Sequence, residues 1–327
     1  MRLRAVVTKP EAARGRVPAI LYVQWLSCDS IAIPPQPKDG WELMLQRLVR
    51  DSGALVWRTE KRGVGGSDGR CEALDYETEL ADHRAALDAL RRRADVDPER
   101  IVIFGASMGA TMAPLLAQGD ERLAGVVVWG GGARTWAERT LAFERNRLEF
   151  GDTPAERRAG EITARFRLIE DFLVEGRSPA ELSARDPDLA RAWSSMAGTD
   201  ATTMYGRPFA YHHQAQRRDW AAAWAAVRAP VLVLLGENDW FEDAGSAALI
   251  GEIVNRTGAK GATVAIVPGL DHHFIRYPDR RAAFRGRGGK ADPGPATDRL
   301  FAWLRERFRS CSTRPSCDKL GQSHLGE

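Results

Sequence analysis

The serine at position 107 lies in the pattern of a nucleophile elbow. Residues 105–109 read Gly-Ala-Ser-Met-Gly, which matches the G-x-S-x-G signature of that turn. The apolar, β-branched run 100–104 before it predicts a buried strand, and the run 110–117 after it predicts a helix. A strand–turn–helix of this kind exposes the serine hydroxyl above a sheet, and the flanking glycines leave room for the tight turn. We therefore predict that Ser107 is a nucleophile.

A serine hydroxyl needs a base to take its proton and a third group to orient that base. Asp239 follows the predicted strand 231–235, and His272 follows the predicted strand 263–267. Serine, acid and histidine stand in the chain order that accompanies a nucleophile elbow. We predict His272 as the general base and Asp239 as the orienting acid, with Glu237 as the alternative acid.

Other titratable residues have structural explanations. His273 stands one position too late and should point away from the serine. His83 falls on the apolar side of a predicted helix, and His212 and His213 fall in or near a helical insertion, where a substrate contact remains an alternative. Asp243 precedes a predicted helix and fits the role of its N-cap.

Predicted strands alternate with predicted helices along most of the chain, which indicates an α/β fold. Strand and helix alternation with β-branched strands predicts a doubly wound, mostly parallel sheet covered on both faces. Ligands of such sheets bind at the carboxyl ends of the strands, where the three predicted catalytic residues fall. The strand predictions are 19–24, 54–59, 100–104, 125–129, 231–235 and 263–267, and the clearest helices are 41–49, 80–90, 245–254 and 297–308.

The alternation stops between residues 133 and 220, where the sequence predicts helices throughout. Capping boxes are predicted at 153–156 and 178–181, and a further cap at Asp186. An apolar stripe that includes Phe166 marks the longest helix. We predict a core of residues 1–132 and 221–309, a helical lid at 133–220, and a disordered tail at 310–327.

The motifs resemble those of the α/β-hydrolase superfamily. Its late strands carry an acid in a G-x-x-D turn and a histidine in a G-x-x-H loop, as residues 236–239 and 269–272 do here. Residues 57–69 look like its D-x-R-G-x-G-x-S-x-G stretch, with Glu60 in the place of the usual Asp. Over roughly residues 1–309 the chain is most similar to bacterial esterases grouped with serine aminopeptidase-like and prolyl-oligopeptidase-like hydrolases. The resemblance implies the α/β-hydrolase fold and acyl transfer through Ser107, His272 and Asp239.

The resemblance also implies an oxyanion hole made of two backbone N–H groups. Met108, directly after the nucleophile, supplies the first. The second comes from the loop after an early strand, here residues 24–28, where Leu26 is our first choice and Trp25 the alternative. Trp25 departs from the family pattern because glycine is usual there, so a bulky side chain should reshape the hole or narrow the pocket.

Composition excludes several other functions. A net charge of +3 from 47 basic and 44 acidic residues does not indicate a nucleic-acid or membrane partner. No metal-ligand cluster or nucleotide-binding glycine pattern indicates a cofactor. The sequence starts without a signal-peptide pattern, so we expect a cytoplasmic protein. Cys28 and Cys71 fall in loops on the same side of the sheet, and two free thiols are the more expected state there.

The sequence favours a serine hydrolase that acts on a small-molecule ester. Trp25, Trp136 and Trp240 are the predicted aromatic wall of an apolar substrate pocket. An aminopeptidase or amidase is one alternative, in which Glu138 or Glu144 would bind a free amine, and a thioesterase is another. A non-catalytic binding protein on the same scaffold is the alternative from another class. The sequence leaves the oligomeric state open between monomer and homodimer.

Overall fold

The central element is a seven-stranded sheet, seen in a computed structural model that describes residues 1–11, 14–196, 198–257 and 260–309. Its strands are β1 (Ala5–Thr8), β2 (Val17–Val23), β3 (Leu55–Thr59), β4 (Val96–Ala106), β5 (Gly125–Trp129), β8 (Val231–Gly236) and β9 (Ala262–Val267). They run in the order β1-β3-β2-β4-β5-β8-β9. Only the edge strand β1 is antiparallel to its neighbour, and the other pairs are parallel.

Helices connect the strands and cover both faces of the sheet. They are α1 (Gly40–Asp51), α2 (Tyr76–Arg91), α3 (Gly109–Ala117), α4 (Trp136–Phe150), α5 (Ala155–Ile169), α6 (Pro179–Arg185), α7 (Pro187–Ser195), α8 (Phe209–Gln216), α9 (Trp220–Ala225), α10 (Ala244–Arg256), α11 (Arg280–Arg285) and α12 (Gly294–Arg307). None of the helices in the described part of the chain has the length and apolar content of a membrane-spanning helix.

The core has two halves, one on each face of the sheet, because successive side chains of a strand point in opposite directions. Along β2, Leu21 and Val23 pack on the face covered by α2, α3 and α10. Ile20 and Tyr22 pack on the face covered by α1 and α12. The predicted doubly wound, mostly parallel sheet is therefore confirmed.

Two features of the sheet were not predicted. The edge strand β1 has only four residues, too few for a clear alternation. The strand β4 begins at Val96, four residues before the predicted start, because the intervening Asp97, Pro98 and Glu99 gave no apolar signal.

The segment 133–220 is mostly helical, but three details of its prediction were wrong. It contains a short hairpin, β6 (Thr203–Met204) with β7 (Arg207–Pro208). Helix α5 begins after Pro154 without a side-chain cap, so the box at 153–156 is not formed, whereas the box at 178–181 is. Phe166 is 54% exposed and does not belong to the buried stripe.

Cys28 and Cys71 form a disulfide with a Cα–Cα distance of 5.9 Å, which corrects the expectation of free thiols. Cys71 begins a 3₁₀ turn, Cys71–Ala73, directly before α2. The two short strands β10 (Ile275–Arg276) and β11 (Lys290–Ala291) pair near the carboxyl end of β9. The predicted disordered tail, with Cys311 and Cys317, lies outside the described residues.

Candidate active site

Ser107 lies in a strained turn between β4 and α3. Its φ angle is +55°, in the left-handed region that non-glycine residues seldom adopt. A Cβ atom at Gly105 would lie 2.4 Å from the carbonyl oxygen of Gly109, and one at Gly109 would lie 2.1 Å from that of Val23. Both glycines are therefore required by close backbone packing. The Ser107 N–H donates to the carbonyl oxygen of Trp129 at 2.8 Å, which ties the turn to β5.

Ser107, His272 and Asp239 form one hydrogen-bonded chain. His272 Nε2 lies 2.9 Å from Ser107 Oγ, and His272 Nδ1 lies 2.7 Å from Asp239 Oδ2. Both the imidazole and the carboxylate are buried. This is the geometry in which an imidazole takes the serine proton while the carboxylate fixes its tautomer and stabilises its charged form.

The turn after β8 holds Asp239 in place. Its second oxygen, Oδ1, accepts the N–H groups of Phe241 at 2.8 Å and Glu242 at 3.0 Å. The alternative acid, Glu237, instead accepts the backbone N–H of Gly269 at 2.8 Å. Asp243 is the N-cap of α10, as predicted. The structure therefore brings Asp239, and not Glu237, to the histidine.

The environment of His272 favours its protonated form. Burial lowers the pKa of the imidazole, but the charges of Asp239, Glu242 and Asp271 and the hydrogen bond to Asp239 outweigh burial, so the pKa of His272 is raised. The pKa of the Glu242 carboxyl is also raised, because of burial and the nearby Asp239 charge, against the attraction of Arg139. A raised pKa makes His272 a stronger base at neutral pH.

A cavity of about 570 Å³ opens above Ser107. Six aromatic residues contribute to its wall: Trp25, Trp41, Trp136, Phe143, Tyr205 and Phe241. Trp25 and Trp136 line it as predicted. Trp240 does not; it stacks on Phe143 with a centroid distance of 5.1 Å and lies behind the wall. Trp240 therefore supports the pocket wall from behind, and the next residue, Phe241, forms part of its surface.

The acids proposed for binding an amine are engaged elsewhere. Glu138 accepts hydrogen bonds from the backbone N–H and hydroxyl of Thr135 and completes a capping box. Glu144 is fully buried and pairs with Arg147 and Arg165. Neither lines the cavity above Ser107.

The predicted oxyanion donors flank the nucleophile. Met108 directly precedes α3, where the first N–H groups have no partner within the helix. Trp25 and Leu26 line the cavity together with Ser107. The Trp25 ring packs against Trp41 at a centroid distance of 4.9 Å. Trp25, which stands where the family pattern usually has glycine, therefore forms part of the pocket wall.

Four further histidines lie within the described residues, outside the hydrogen-bonded chain. His83 is buried in α2. His212 stacks on Trp136 at 5.8 Å and accepts its indole N–H at Nδ1, so it supports the pocket wall from behind. His213 packs on Phe172. His273 lines the same cavity, although we predicted that it would point away.

Sequence reasoning missed several residues that shape the site. Trp41, Phe241 and Glu242 line the cavity, and nothing in their local pattern marks them. Gly130 lies against the triad: a Cβ atom there would lie 2.6 Å from His272 Cε1 and 3.3 Å from Asp239 Oδ2. Its position in a run of three glycines after β5 was the one available signal.

Solved structures of low sequence identity share this fold. Est1E from Butyrivibrio proteoclasticus, solved with ferulic acid bound, has a TM-score of 0.56 at 15% identity and covers 93% of this chain and 95% of its own. The monoacylglycerol lipase of Paleococcus ferrophilus has a TM-score of 0.52 at 16% identity and covers 94% of this chain and 100% of its own.

A third example is the acylaminoacyl peptidase of Pyrococcus horikoshii, with a TM-score of 0.55 at 16% identity, which covers 94% of this chain and 40% of its own. No curated protein matches the sequence. The model of the family described as serine aminopeptidase, S33, matches residues 43–279. The α/β-hydrolase architecture and the Ser107 elbow agree with that match. The chain belongs to the serine aminopeptidase S33 family of hydrolases.

Proposed function

We propose that this protein is a serine hydrolase that cleaves carboxylic esters through an acyl-enzyme intermediate. The observation that carries the proposal is the hydrogen-bonded chain from Asp239 through His272 to Ser107 at the base of an aromatic cavity.

In the proposed mechanism His272 Nε2 takes the proton of Ser107 as Oγ attacks the ester carbonyl. The carbonyl π electrons move to the oxygen, and the N–H groups of Met108 and Leu26, or alternatively Trp25, stabilise that oxyanion. The imidazolium then gives its proton to the leaving alkoxide as the tetrahedral intermediate collapses. Water repeats the sequence on the acyl-enzyme, again with His272 as base, and releases the acid and Ser107.

The aromatic wall supports an apolar or aromatic acyl group as the substrate feature that this pocket binds. Trp25, Trp41 and Phe241 present ring surface to the cavity, and rings of this kind contribute apolar area and specific contact geometry. The similar fold of Est1E was solved with ferulic acid, an aromatic acid, which makes esters of aromatic acids the first substrates to test. The partner we propose is accordingly a small-molecule ester.

We also propose that the segment 133–220 acts as a lid. It supplies Trp136, Phe143 and Tyr205 to the cavity, so its movement would open or close the pocket. The cytoplasmic location stays a prediction. The Cys28–Cys71 disulfide is a feature more common in proteins of oxidising compartments.

Peptide or amide hydrolysis is the second candidate, because the family model is described as a serine aminopeptidase. A panel of p-nitrophenyl esters of rising chain length, aryl esters, aminoacyl anilides and an acyl thioester decides between the two. We expect ester turnover well above anilide turnover. Anilide cleavage with little ester turnover would reverse the assignment.

Variants of the three site residues complete the test. Ser107→Ala and His272→Ala should each lower kcat by ~10⁴–10⁶. Asp239→Asn should lower kcat by about 10⁴ because the histidine loses its orienting partner. Glu237→Gln is the matched control and should retain most of the activity. A large loss in Glu237→Gln with little loss in Asp239→Asn would move the acid to Glu237.

A further inference from the structure

Buried cations bind three successive backbone carbonyl groups in the loop that follows β2. The ammonium group of Lys61 donates to the carbonyl oxygen of Trp25 and, at 2.9 Å, to that of Ser27. Between them, the carbonyl oxygen of Leu26 accepts from Arg207 Nη1 at 3.4 Å. Lys61 therefore holds the carbonyl groups of Trp25 and Ser27, and Arg207 makes a longer contact with that of Leu26.

These bonds determine where the N–H groups of the loop point. A trans peptide group is planar, so the carbonyl of one residue and the N–H of the next point in opposite directions, and no cis peptide occurs among the described residues. The bond from Lys61 to the Trp25 carbonyl consequently directs the Leu26 N–H away from Lys61. Trp25, Leu26 and Ser107 line the same cavity. The carbonyl oxygen of Gln24 lies 2.7 Å from the place of a Gly109 Cβ, so it faces the elbow and the Trp25 N–H points away from it. These two orientations favour Leu26 over Trp25 as the second oxyanion donor.

Glu79, on α2, joins the two cations. Its Oε1 lies 3.4 Å from Lys61 Nζ, and its Oε2 pairs with Arg207 Nη2. The side chains of Lys61, Glu79 and Arg207 are 2%, 3% and 0% exposed. Buried ion pairs contribute little net stability because desolvation is costly, so stability alone is a weak explanation for this cluster.

Lys61 keeps its positive charge within this buried cluster. Burial, opposed by Glu79, lowers the pKa of Lys61 to about 8, so the ammonium form predominates at neutral pH. The cluster itself holds two cations and one carboxylate, and the Asp29 carboxylate also acts on Lys61 from outside it. In a water-excluded site, fixed positive charge and oriented dipoles stabilise negative charge that develops in the transition state.

The Cys28–Cys71 disulfide holds the far end of the same loop. Arg207 Nη1 lies 3.3 Å from Cys71 Sγ, and the Arg207 guanidinium stacks over the ring of Tyr211 at 4.3 Å. The cluster and the disulfide therefore connect the loop to the start of α2 and to the β7–α8 region.

We propose that Lys61, Glu79 and Arg207 are positioning residues for the oxyanion hole, which set the Leu26 N–H in place through the carbonyl groups of its loop. The inference rests on the proposed function, since an oxyanion forms only if Ser107 attacks a carbonyl. None of the three side chains is assigned a contact with the substrate. They act through the backbone of residues 25–27.

Lys61→Met tests this proposal, because methionine retains the length of the side chain but cannot donate to the two carbonyl groups. We expect kcat for a p-nitrophenyl ester to fall ~10–100-fold, less than the 10²–10³ that follows the loss of an oxyanion donor. KM should change by less than about threefold, because Lys61 is assigned no contact with the substrate and the binding of the unreacted ester is unchanged. Lys61→Arg should recover part of the loss.

An aryl trifluoromethyl ketone separates positioning from a general structural role. Ser107 Oγ adds to its carbonyl carbon, the π bond breaks, the proton passes to His272 and an oxyanion forms in the hole. The inhibition constant of the ketone should rise in proportion as kcat/KM falls across the Lys61→Met, Glu79→Gln and Arg207→Lys variants. The matching secondary alcohol forms no oxyanion. Its affinity for each variant should therefore lie within about threefold of its affinity for the wild type.

Arg91→Met is the control, since Arg91 pairs with Asp120 but lies at the opposite end of α2 from Glu79. It should lower stability without lowering kcat. Folded Lys61, Glu79 and Arg207 variants that retain kcat and ketone affinity, while the wild type hydrolyses esters, would overturn this inference alone. If the wild type hydrolyses no ester and takes up no fluorophosphonate, the proposed function fails and this inference fails with it.

Discussion

Gly130 packs directly against His272. A Cβ atom on Gly130 would lie 2.6 Å from His272 Cε1 and 2.7 Å from His272 Nδ1, well inside van der Waals contact. The position lies at the end of β5, where the Gly130 N–H donates to the carbonyl oxygen of Leu234 on β8 at 3.1 Å. Because Gly130 has no side chain, the imidazole of His272 has room at this strand end to lie between Asp239 and Ser107.

Gly130→Ala should displace the imidazole and lower kcat/KM by ~10²-fold or more, because a shift of about 1 Å in a catalytic group costs that much. The assay is ester hydrolysis on folded protein. Gly119→Ala is the matched control. The φ angle of Gly119 is +71°, close to the +63° of Gly130, but a Cβ atom on Gly119 would meet nothing within 4 Å. Both variants suffer the same backbone strain. Equal activity in the two would show that the close approach of Gly130 to His272 is unimportant.

The pH profile of kcat/KM should have its acid limb above pH 6.5. His272 must be neutral to accept the serine proton, and its folded pKa is raised above the usual 6.5 by the surrounding carboxylates in spite of burial. Activity should therefore fall as the pH drops through that raised pKa. Glu242→Gln removes one of these carboxylates and should move the limb to lower pH. An unchanged limb, or one that moves to higher pH, would contradict the assigned cause.

Stability should fall on acidification below pH 6.5 because two buried histidines resist protonation. Burial lowers the pKa of His83 to about 4 and that of His212 to about 3. Between pH 6.5 and those values the unfolded chain binds protons that the folded chain does not. The free energy of unfolding should decrease by about 1.4 kcal/mol per pH unit for each histidine.

Urea unfolding from pH 6.5 to 5.0 measures this slope. In His83→Gln the slope should fall by about 1.4 kcal/mol per pH unit, and His212→Gln should lower it by the same amount. A His83→Gln protein with the slope of the wild type would show that His83 does not titrate as predicted.

Reduction of the Cys28–Cys71 disulfide should lower kcat severalfold, because the bond holds one end of the loop that carries Leu26. Dithiothreitol converts the disulfide to two thiols and is itself oxidised to its cyclic disulfide. The bond spans 43 residues, so its loss should also cost about 2–4 kcal/mol of stability. The activity assay is therefore run well below the unfolding temperature.

A Cys28→Ser/Cys71→Ser double variant is the control for reduction elsewhere in the chain. It should have the low kcat of the reduced protein and no response to dithiothreitol. Full wild-type turnover in the double variant would mean that the loop holds its geometry without the bond.

The sheet could be predicted from the sequence because its signals are local. The runs that became β5 and β8 are continuously apolar and rich in Val and Leu, as strands buried on both faces are. Ser107, Asp239 and His272 could be named for the same reason, since each follows a strand in a short, recognisable turn.

What the sequence did not predict depends on contacts between distant segments. The disulfide requires the loop after β2 to meet the turn before α2, and the Lys61–Glu79–Arg207 cluster joins three regions of the chain. Trp240 and Phe241 are adjacent aromatic residues, and only the fold of their turn decides that Phe241 lines the cavity. The role of Gly130 follows from the position of a side chain 142 residues later, which no local pattern encodes.

Labelling with a fluorophosphonate probe, followed by peptide mapping, tests directly whether Ser107 is the nucleophile. We expect one label per chain, on the peptide that contains Ser107, and no label in a folded Ser107→Ala variant. Folded wild-type protein that takes up no label, or labelling that survives in Ser107→Ala, would contradict the assignment of Ser107 as the nucleophile.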